Sequence, residues 1–250
     1  MMKVAIITGA SRGIGRAIAT RMAGEGWSLA IQSTKSSEKQ LIELASELSK
    51  QHGVRVEPFF CDFSSAIDSG DEEVQAFVES VLSVFEQIDG LVSNAGIMSE
   101  FSIEDVSMEE LQRVFTVNTF VPYILTKLVF GQMKKQGHGG RIINVSSFVV
   151  PYGMGRNQSV QYAGTKAALE VLTTGLSRIG AEHQILVNTV RPGLVNTEMQ
   201  KDREDLESRI NMIPLKRLAE SHEVASAVAY FLSAESSFVT GQTLSVAGGE

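Results

Sequence analysis

The chain has 250 residues, of which 43% are hydrophobic and only 5 are proline. That is enough for one sizeable core near the upper limit of a single domain. A formal net charge of −7 argues against a partner gripped through nucleic-acid phosphates. The single cysteine, Cys61, excludes an internal disulfide.

Four scattered histidines and one cysteine show no ligand spacing, so no metal is expected. No run reads as a membrane span, and the apolar stretch before Thr8-Gly9 is too short for a signal peptide. A reducing, cytoplasmic location is the expectation that follows.

In chain order, Lys3–Thr8 is a β-branched strand that breaks at Gly9, and Ile14–Ala23 has apolar residues at helical spacing. Ser28–Gln32 predicts a second strand, Glu38–Lys50 a helix and Val54–Cys61 a third strand. Asp71–Glu86 carries a helical stripe of Val74, Phe77, Val78, Val81, Leu82 and Phe85. A strand at Asp89–Ser93, a long helix at Met108–Lys135 and a strand at Arg141–Ser146 follow. Then come a helix at Tyr162–Ala181, a strand at Ile185–Val190, a helix at Glu220–Leu232 and a closing strand at Gln242–Val246.

Seven short apolar strands separated by helices need crossover connections, which are right-handed. The fold class is therefore α/β: one Rossmann-type, doubly wound parallel sheet with helices on both faces, spanning residues 1–250. No internal repeat or linker divides it. The charged segment Glu198–Pro214 lies between strand and helix and is expected to form a substrate lid.

Thr8-Gly9-Ala10-Ser11-Arg12-Gly13-Ile14-Gly15 places three glycines between the first strand and the first helix. Glycines there let backbone approach a pyrophosphate, and a helix N-terminus offers free N–H donors. An ordinary tight turn would use glycine in the same way. The second strand ends Gln32-Ser33-Thr34-Lys35, without the carboxylate that grips a ribose 2′-hydroxyl. Arg12 and Lys35 instead offer cations to a 2′-phosphate, which favours NADP(H) over NAD(H); solvated surface charge is the alternative for both. Asp62, after the third strand, suits either an adenine amino group or a helix cap.

Tyr162 and Lys166 are four residues apart, on one face of a helix. A phenol with a pKa near 10 is a poor acid at neutral pH, and a neighbouring cation pulls that value down. Ser146 and Ser147 end a strand where ligands of parallel sheets bind. Asn94-Ala95-Gly96 ends the preceding strand, and Asn118 is a mediocre helix former inside a long helix, with surface exposure as its plain explanation.

Taken together, Thr8 to Gly15, Asn94-Ala95-Gly96, Asn118, Ser147, Tyr162-x-x-x-Lys166 and Arg191-Pro192-Gly193 occur in the order of the short-chain dehydrogenase/reductase family, and the chain resembles that family over essentially its whole length. Its details look most like bacterial 3-oxoacyl-[acyl-carrier-protein] reductases. The resemblance implies that Ser147 holds the substrate carbonyl, Tyr162 protonates its oxygen, and Lys166 binds the nicotinamide ribose and lowers the tyrosine pKa. It implies that Asn118 holds a water in the proton relay.

By the same resemblance, Gly9, Ser11, Arg12, Gly13, Ile14, Gly15, Ser33, Thr34, Lys35, Asp62, Phe63, Asn94, Ala95 and Gly96 contact NADP(H), with Pro192, Gly193, Val195 and Thr197 beside the nicotinamide carboxamide. A homotetramer is implied, burying the long helices Met108–Lys135 and Tyr162–Ala181.

Three departures bear on the substrate. The loop Pro151-Tyr152-Gly153-Met154-Gly155-Arg156-Asn157 looks about two residues longer than in the carrier-protein reductases. His138 and His183 fall where those reductases use arginines to dock acyl carrier protein, and Ala247 stands where aspartate is common. Three functions remain open: an NADPH-dependent 3-oxoacyl thioester reductase, an alcohol, sugar or steroid dehydrogenase of the same family, and a non-catalytic redox sensor.

Overall fold

The computed structural model describes residues 2–99, 101–152, 160–200 and 205–250. In chain order the elements are β1 (Val4–Ile7), α1 (Gly13–Gly24), β2 (Ser28–Ser33), α2 (Glu38–His52), β3 (Val56–Phe60), the single turn α3 (Ala66–Ser69), α4 (Glu72–Phe85) and β4 (Gly90–Ser93). There follow α5 (Met108–Phe115), a π-helical turn (Thr116–Phe120), α6 (Val121–Gln136), β5 (Gly140–Val145), the short α7 (Val149–Tyr152), α8 (Val160–Ala181), β6 (Ile185–Pro192), α9 (Leu206–Met212), α10 (Ser221–Leu232) and β7 (Thr243–Val246).

The seven strands form one parallel sheet in the order β3-β2-β1-β4-β5-β6-β7. Residues of β1, β2 and β4 are buried without interruption, as expected of strands covered on both faces. On one side Ala5, Ile7, Leu29 and Ile31 pack against α1, α2 and α10, through Ile18, Leu44, Val228 and Phe231. On the other side Ile6, Ala30, Leu91 and Ile142 meet α4 and α6 through Phe77, Val81, Leu125 and Val129. Strand order reverses between β1 and β4, so the loops after these two strands diverge and open a crevice at their carboxyl ends.

One expected element is altered. The long helix is a continuous helical run, Met108–Gln136, but contains the π turn in its middle. By length and apolarity this run would pass for a membrane span. Its apolar residues Val117, Val121, Leu125, Val129 and Met133 instead lie buried against the sheet. Of the long loop after Ser147, Gly153 to Asn157 lie outside the described residues, and so do residues 201–204 of the segment expected to form a lid.

Candidate active site

The site begins at the turn after β1. Gly9 has φ 65°, and a Cβ there would stand 2.9 Å from the Cα of Ala95, so glycine both makes the turn and admits the loop after β4. Asn94 joins the two loops: its Nδ2 donates to the carbonyls of Thr8 (2.9 Å) and Gly9 (3.2 Å), and its own N–H donates to Thr8 Oγ1 (3.0 Å). Gln32, at the end of β2, accepts from Gly9 N–H at 3.0 Å and donates to the Cys61 carbonyl at 2.7 Å. Four strand ends, those of β1, β2, β3 and β4, are thus fastened around one turn. Helix α1 then starts with no side-chain cap and no acidic residue in its first turn, so its first N–H groups stay available to an anion.

At the outer end of the same crevice lie buried Ser33, half-buried Thr34 and exposed Lys35, which opens the 3-10 turn Lys35–Ser37. Arg12 reaches across to Glu198 at 2.8 Å, and both side chains are exposed. Of the two uses suggested for Asp62, the structure shows capping: its carboxylate accepts from Ser64 N–H (3.0 Å) and Ser64 Oγ (2.7 Å) at the head of the turn Phe63–Ser65. Phe63 is buried, edge-on to Phe77.

The groups able to do chemistry sit at the ends of β5 and β6 and along α8. Lys166 is 2% exposed, its Nζ donates to the Val145 carbonyl at 2.9 Å and lies 5.6 Å from the ring centre of Tyr162. Burial pushes the lysine down to about 8. The same burial pushes the Tyr162 phenol up to about 12, opposed by a hydrogen bond with Ser147. In the protein by itself, burial thus acts against the lowering of the phenol expected from Lys166.

Asn118 is fully buried rather than exposed, which overturns the plain explanation of an amide at that position. The π turn widens the helix at Thr116–Phe120, a distortion frequent at functional sites. Asn118 Oδ1 accepts from Ile97 N–H (2.9 Å), and its Nδ2 donates to the Ile97 carbonyl (2.8 Å) and to Thr165 Oγ1 (3.2 Å). The amide thus pins the loop after β4 to α8. A side chain at Gly96 would stand 3.3 Å from both Asn118 Oδ1 and Lys166 Nζ, so glycine keeps that floor clear.

One cleft of about 1260 Å³ is lined by Gly9, Ser11 to Gly15, Ser33, Thr34, Lys35, Asp62, Phe63, Asn94, Ala95, Gly96, Ser147, Tyr162, Lys166, Pro192, Gly193, Val195 and Thr197. Of the expected site residues only Asn118 stands behind its wall. Sequence reasoning missed Gln32 and Arg113, which line it too. Arg113 is fixed by two bonds to Glu110 (2.7 and 2.8 Å), and the signal was an acid and a base three apart on a helix. Gln32 carried no such mark, since its partners come from two distant loops.

His138 lies 3.7 Å from Asp89 Oδ1, and His183 lies 3.1 Å from Glu182 Oε1. Ala247 packs beneath Gly193, where a Cβ on the glycine would stand 2.8 Å from the Ala247 Cα.

A family model described as enoyl-(acyl carrier protein) reductase matches residues 9–250. The chain belongs to the short-chain dehydrogenase/reductase family. It is an oxidoreductase of that family. A 3-oxoacyl-[acyl-carrier-protein] reductase of Staphylococcus epidermidis is 36% identical over 251 residues, covering 100% of this chain and 99% of the relative. The crystal structure of an acetoin dehydrogenase from Salmonella typhimurium superposes with a TM-score of 0.89 at 35% identity, covering 100% of this chain and 96% of that one. A blue fluorescent protein from a metagenomic library, crystallised with NADPH, gives a TM-score of 0.90 at 30% identity, covering 99% of this chain and 97% of that one. The family is thus shared by relatives with different substrates.

Proposed function

We propose that the protein reduces a ketone with NADPH, a 3-oxoacyl thioester being the first substrate class. The observation that carries this reading is the convergence of Ser147, Tyr162 and Lys166 on the cleft that also holds the glycine turn. The residues present fit the cofactor: open N–H donors at the start of α1, no carboxylate at the end of β2, and Ser33, Thr34, Lys35 and Arg12 around the place of a 2′-phosphate. Pro192, Gly193, Val195 and Thr197 flank the nicotinamide end, and Asp62 and Phe63 the adenine end. When bound, the nicotinamide supplies the hydride.

The protein's own residues handle the oxygen. Ser147 and Tyr162 direct two hydroxyls at the carbonyl, where negative charge develops as hydride arrives. Tyr162 donates the proton, and Lys166, held against Val145, supplies positive charge beside the phenol and a contact to the nicotinamide ribose. Both polar atoms of the Asn118 amide are engaged, so its relay contact falls on its backbone carbonyl within the π turn. The segment Glu198–Pro214 serves as the lid over the substrate.

A second reading, a small ketone, sugar or hydroxyketone as substrate, is favoured by the two histidines. Each faces a carboxylate where a docking site for an acidic carrier would present free cations. A sensor without catalysis has less support, because all three reacting side chains are present and converge.

Exposed Phe120 and Tyr123 on one helix and Val171 and Ile179 on α8 offer apolar surface for a homotetramer. A cytosolic setting accords with the single buried thiol. The deciding experiment is steady-state turnover of NADPH with 3-oxoacyl-CoA and 3-oxoacyl-carrier thioesters, 2,3-butanedione, sugars and a crotonyl thioester. Turnover of the free ketone with none for any thioester would remove the first substrate class, and no oxidation of NADPH with any carbonyl would remove the reductase reading.

A further inference from the structure

Helix α9, Leu206–Met212, is a short element after the charged part of the segment that follows β6. It has seven residues, none of its side chains is fully buried, and its N-cap residue Asp205 makes no side-chain cap bond. Segments of this length do not hold a helix on their own propensity. Ile213, just past its end, is buried with Phe148, Ala163 and Leu194. The body of the helix is fastened by Arg209. Its guanidinium lies over the Phe148 ring, 5.6 Å from the ring centre, and its Nη2 meets Glu250 Oε1 at 2.7 Å, with only 13% and 12% of the two side chains exposed.

Both anchors lead directly to the reacting groups. Phe148 follows Ser147, is 4% exposed, donates its N–H to the Pro192 carbonyl at 2.9 Å and lines the cleft. Glu250 is carried by the segment after β7; the last residue of β7 is bonded to the Pro192-Gly193 turn by Gly193 N–H to Val246 O (2.9 Å), and the segment itself to the α9 side by Leu215 N–H to Gly248 O (3.1 Å). A planar cation pressed between an aromatic ring and a carboxylate, with little water around it, is a directional contact. It joins the chain beyond β7 to the ring next to the serine.

We infer that Arg209 and Glu250 are positioning residues that hold α9 on Phe148 and so set how well the cleft receives its carbonyl substrate. Neither residue is among those lining the cleft. The inference rests on the carbonyl-reductase reading for its effect on KM, while the anchoring itself does not depend on it.

The test uses the full chain with Glu250→Gln, which keeps the shape and removes the charge, and Arg209→Met, which keeps the bulk. Amide exchange of residues 206–212 speeds up about tenfold in either variant, and that of β1, β4 and α1 stays as in the wild type. With NADPH and 2,3-butanedione or acetoacetyl-CoA, KM for the carbonyl rises about five- to tenfold while kcat stays within about twofold and NADPH affinity is unchanged. The double variant loses less than the sum of the two single ones, because the residues share one contact. Unchanged exchange across α9 in both variants overturns the anchor whether or not the enzyme turns over any ketone. A loss confined to kcat or to NADPH affinity overturns the positioning role. If the wild type reduces no carbonyl, the reductase reading and the KM effect fall together, and the exchange data alone decide the anchor.

Discussion

Arg191 donates to both carboxylate oxygens of Glu170, from Nε at 2.9 Å and from Nη2 at 2.5 Å, and so bolts the last residues of β6 to the helix that carries Tyr162 and Lys166. Ser146 adds a third bond to the same carboxylate, at 2.7 Å. Glu170 lies one helical turn beyond Lys166 on α8, so the pair holds the helix in register with the ends of β5 and β6. Glu170→Ala would leave a largely buried guanidinium without this carboxylate. It is expected to cost about 2–4 kcal/mol, which for a chain of this size lowers Tm by roughly 5–15 °C. Differential scanning calorimetry checks it, and a fall below about 2 °C would show that the pair is dispensable.

Tyr162→Phe removes a hydroxyl and almost no volume. Turnover is expected to fall by about 1000-fold or more, with NADPH affinity within about twofold of wild type. Single-turnover oxidation of NADPH and fluorescence titration measure the two quantities separately. Retained turnover would assign the proton donor elsewhere.

The buried lysine and phenol make stability depend on pH in opposite directions. Lys166 is held down to about 8 from its ordinary 10.5, so between these values the unfolded chain binds more protons and stability rises with pH. Tyr162 is pushed from 10.0 up to about 12, so above pH 10 the folded protein keeps a proton that the unfolded chain has lost, and stability falls. From pH 7.5 to 9.5 the wild type should therefore gain about 1–2 kcal/mol on Lys166→Met in urea unfolding. A constant difference across that window would mean that the amine is not desolvated.

NADPH should bind at least about tenfold more tightly than NADH, and Lys35→Ala should erode that preference while sparing NADH. The exposed pair Arg12–Glu198 competes with any phosphate for the guanidinium. Glu198→Gln is then expected to tighten NADPH by about two- to threefold, in keeping with the small worth of surface ion pairs. Isothermal titration with both cofactors decides the matter, and equal affinities would show that the cations around Ser33 and Thr34 are solvated surface charges.

Asn118→Ala strips the Ile97 N–H of its acceptor and frees the loop after β4 from α8. The expected cost is about 1–3 kcal/mol in urea unfolding, together with slower turnover. Unaltered stability would mean that water replaces the amide without loss.

Much of this was readable along the chain because it is local. A strand of uninterrupted apolar residues, a glycine turn and a helix of fixed period each declare themselves within about ten residues, so β1, α1, β4 and α8 fall within a few residues of their expected bounds. Tyr162 and Lys166 were legible for the same reason, since one helical turn sets their spacing. The Arg12 and Asp62 contacts were less so: Arg12 meets Glu198, which is 186 positions away, and Asp62 caps a turn through Ser64 while also lining the cleft.

Composition and pattern by themselves determined the α/β class, the glycine turn at a helix start and the order of the residues that line the cleft. Tertiary structure alone decided that Asn118 is buried in a π turn, that Gln32 fastens three strand ends, that Glu170 holds Arg191, and that burial drives Lys166 down and Tyr162 up. The physical reason is that hydrogen-bond partners and desolvation belong to the space around a side chain, which the crossovers of a parallel sheet fill with residues from distant parts of the chain.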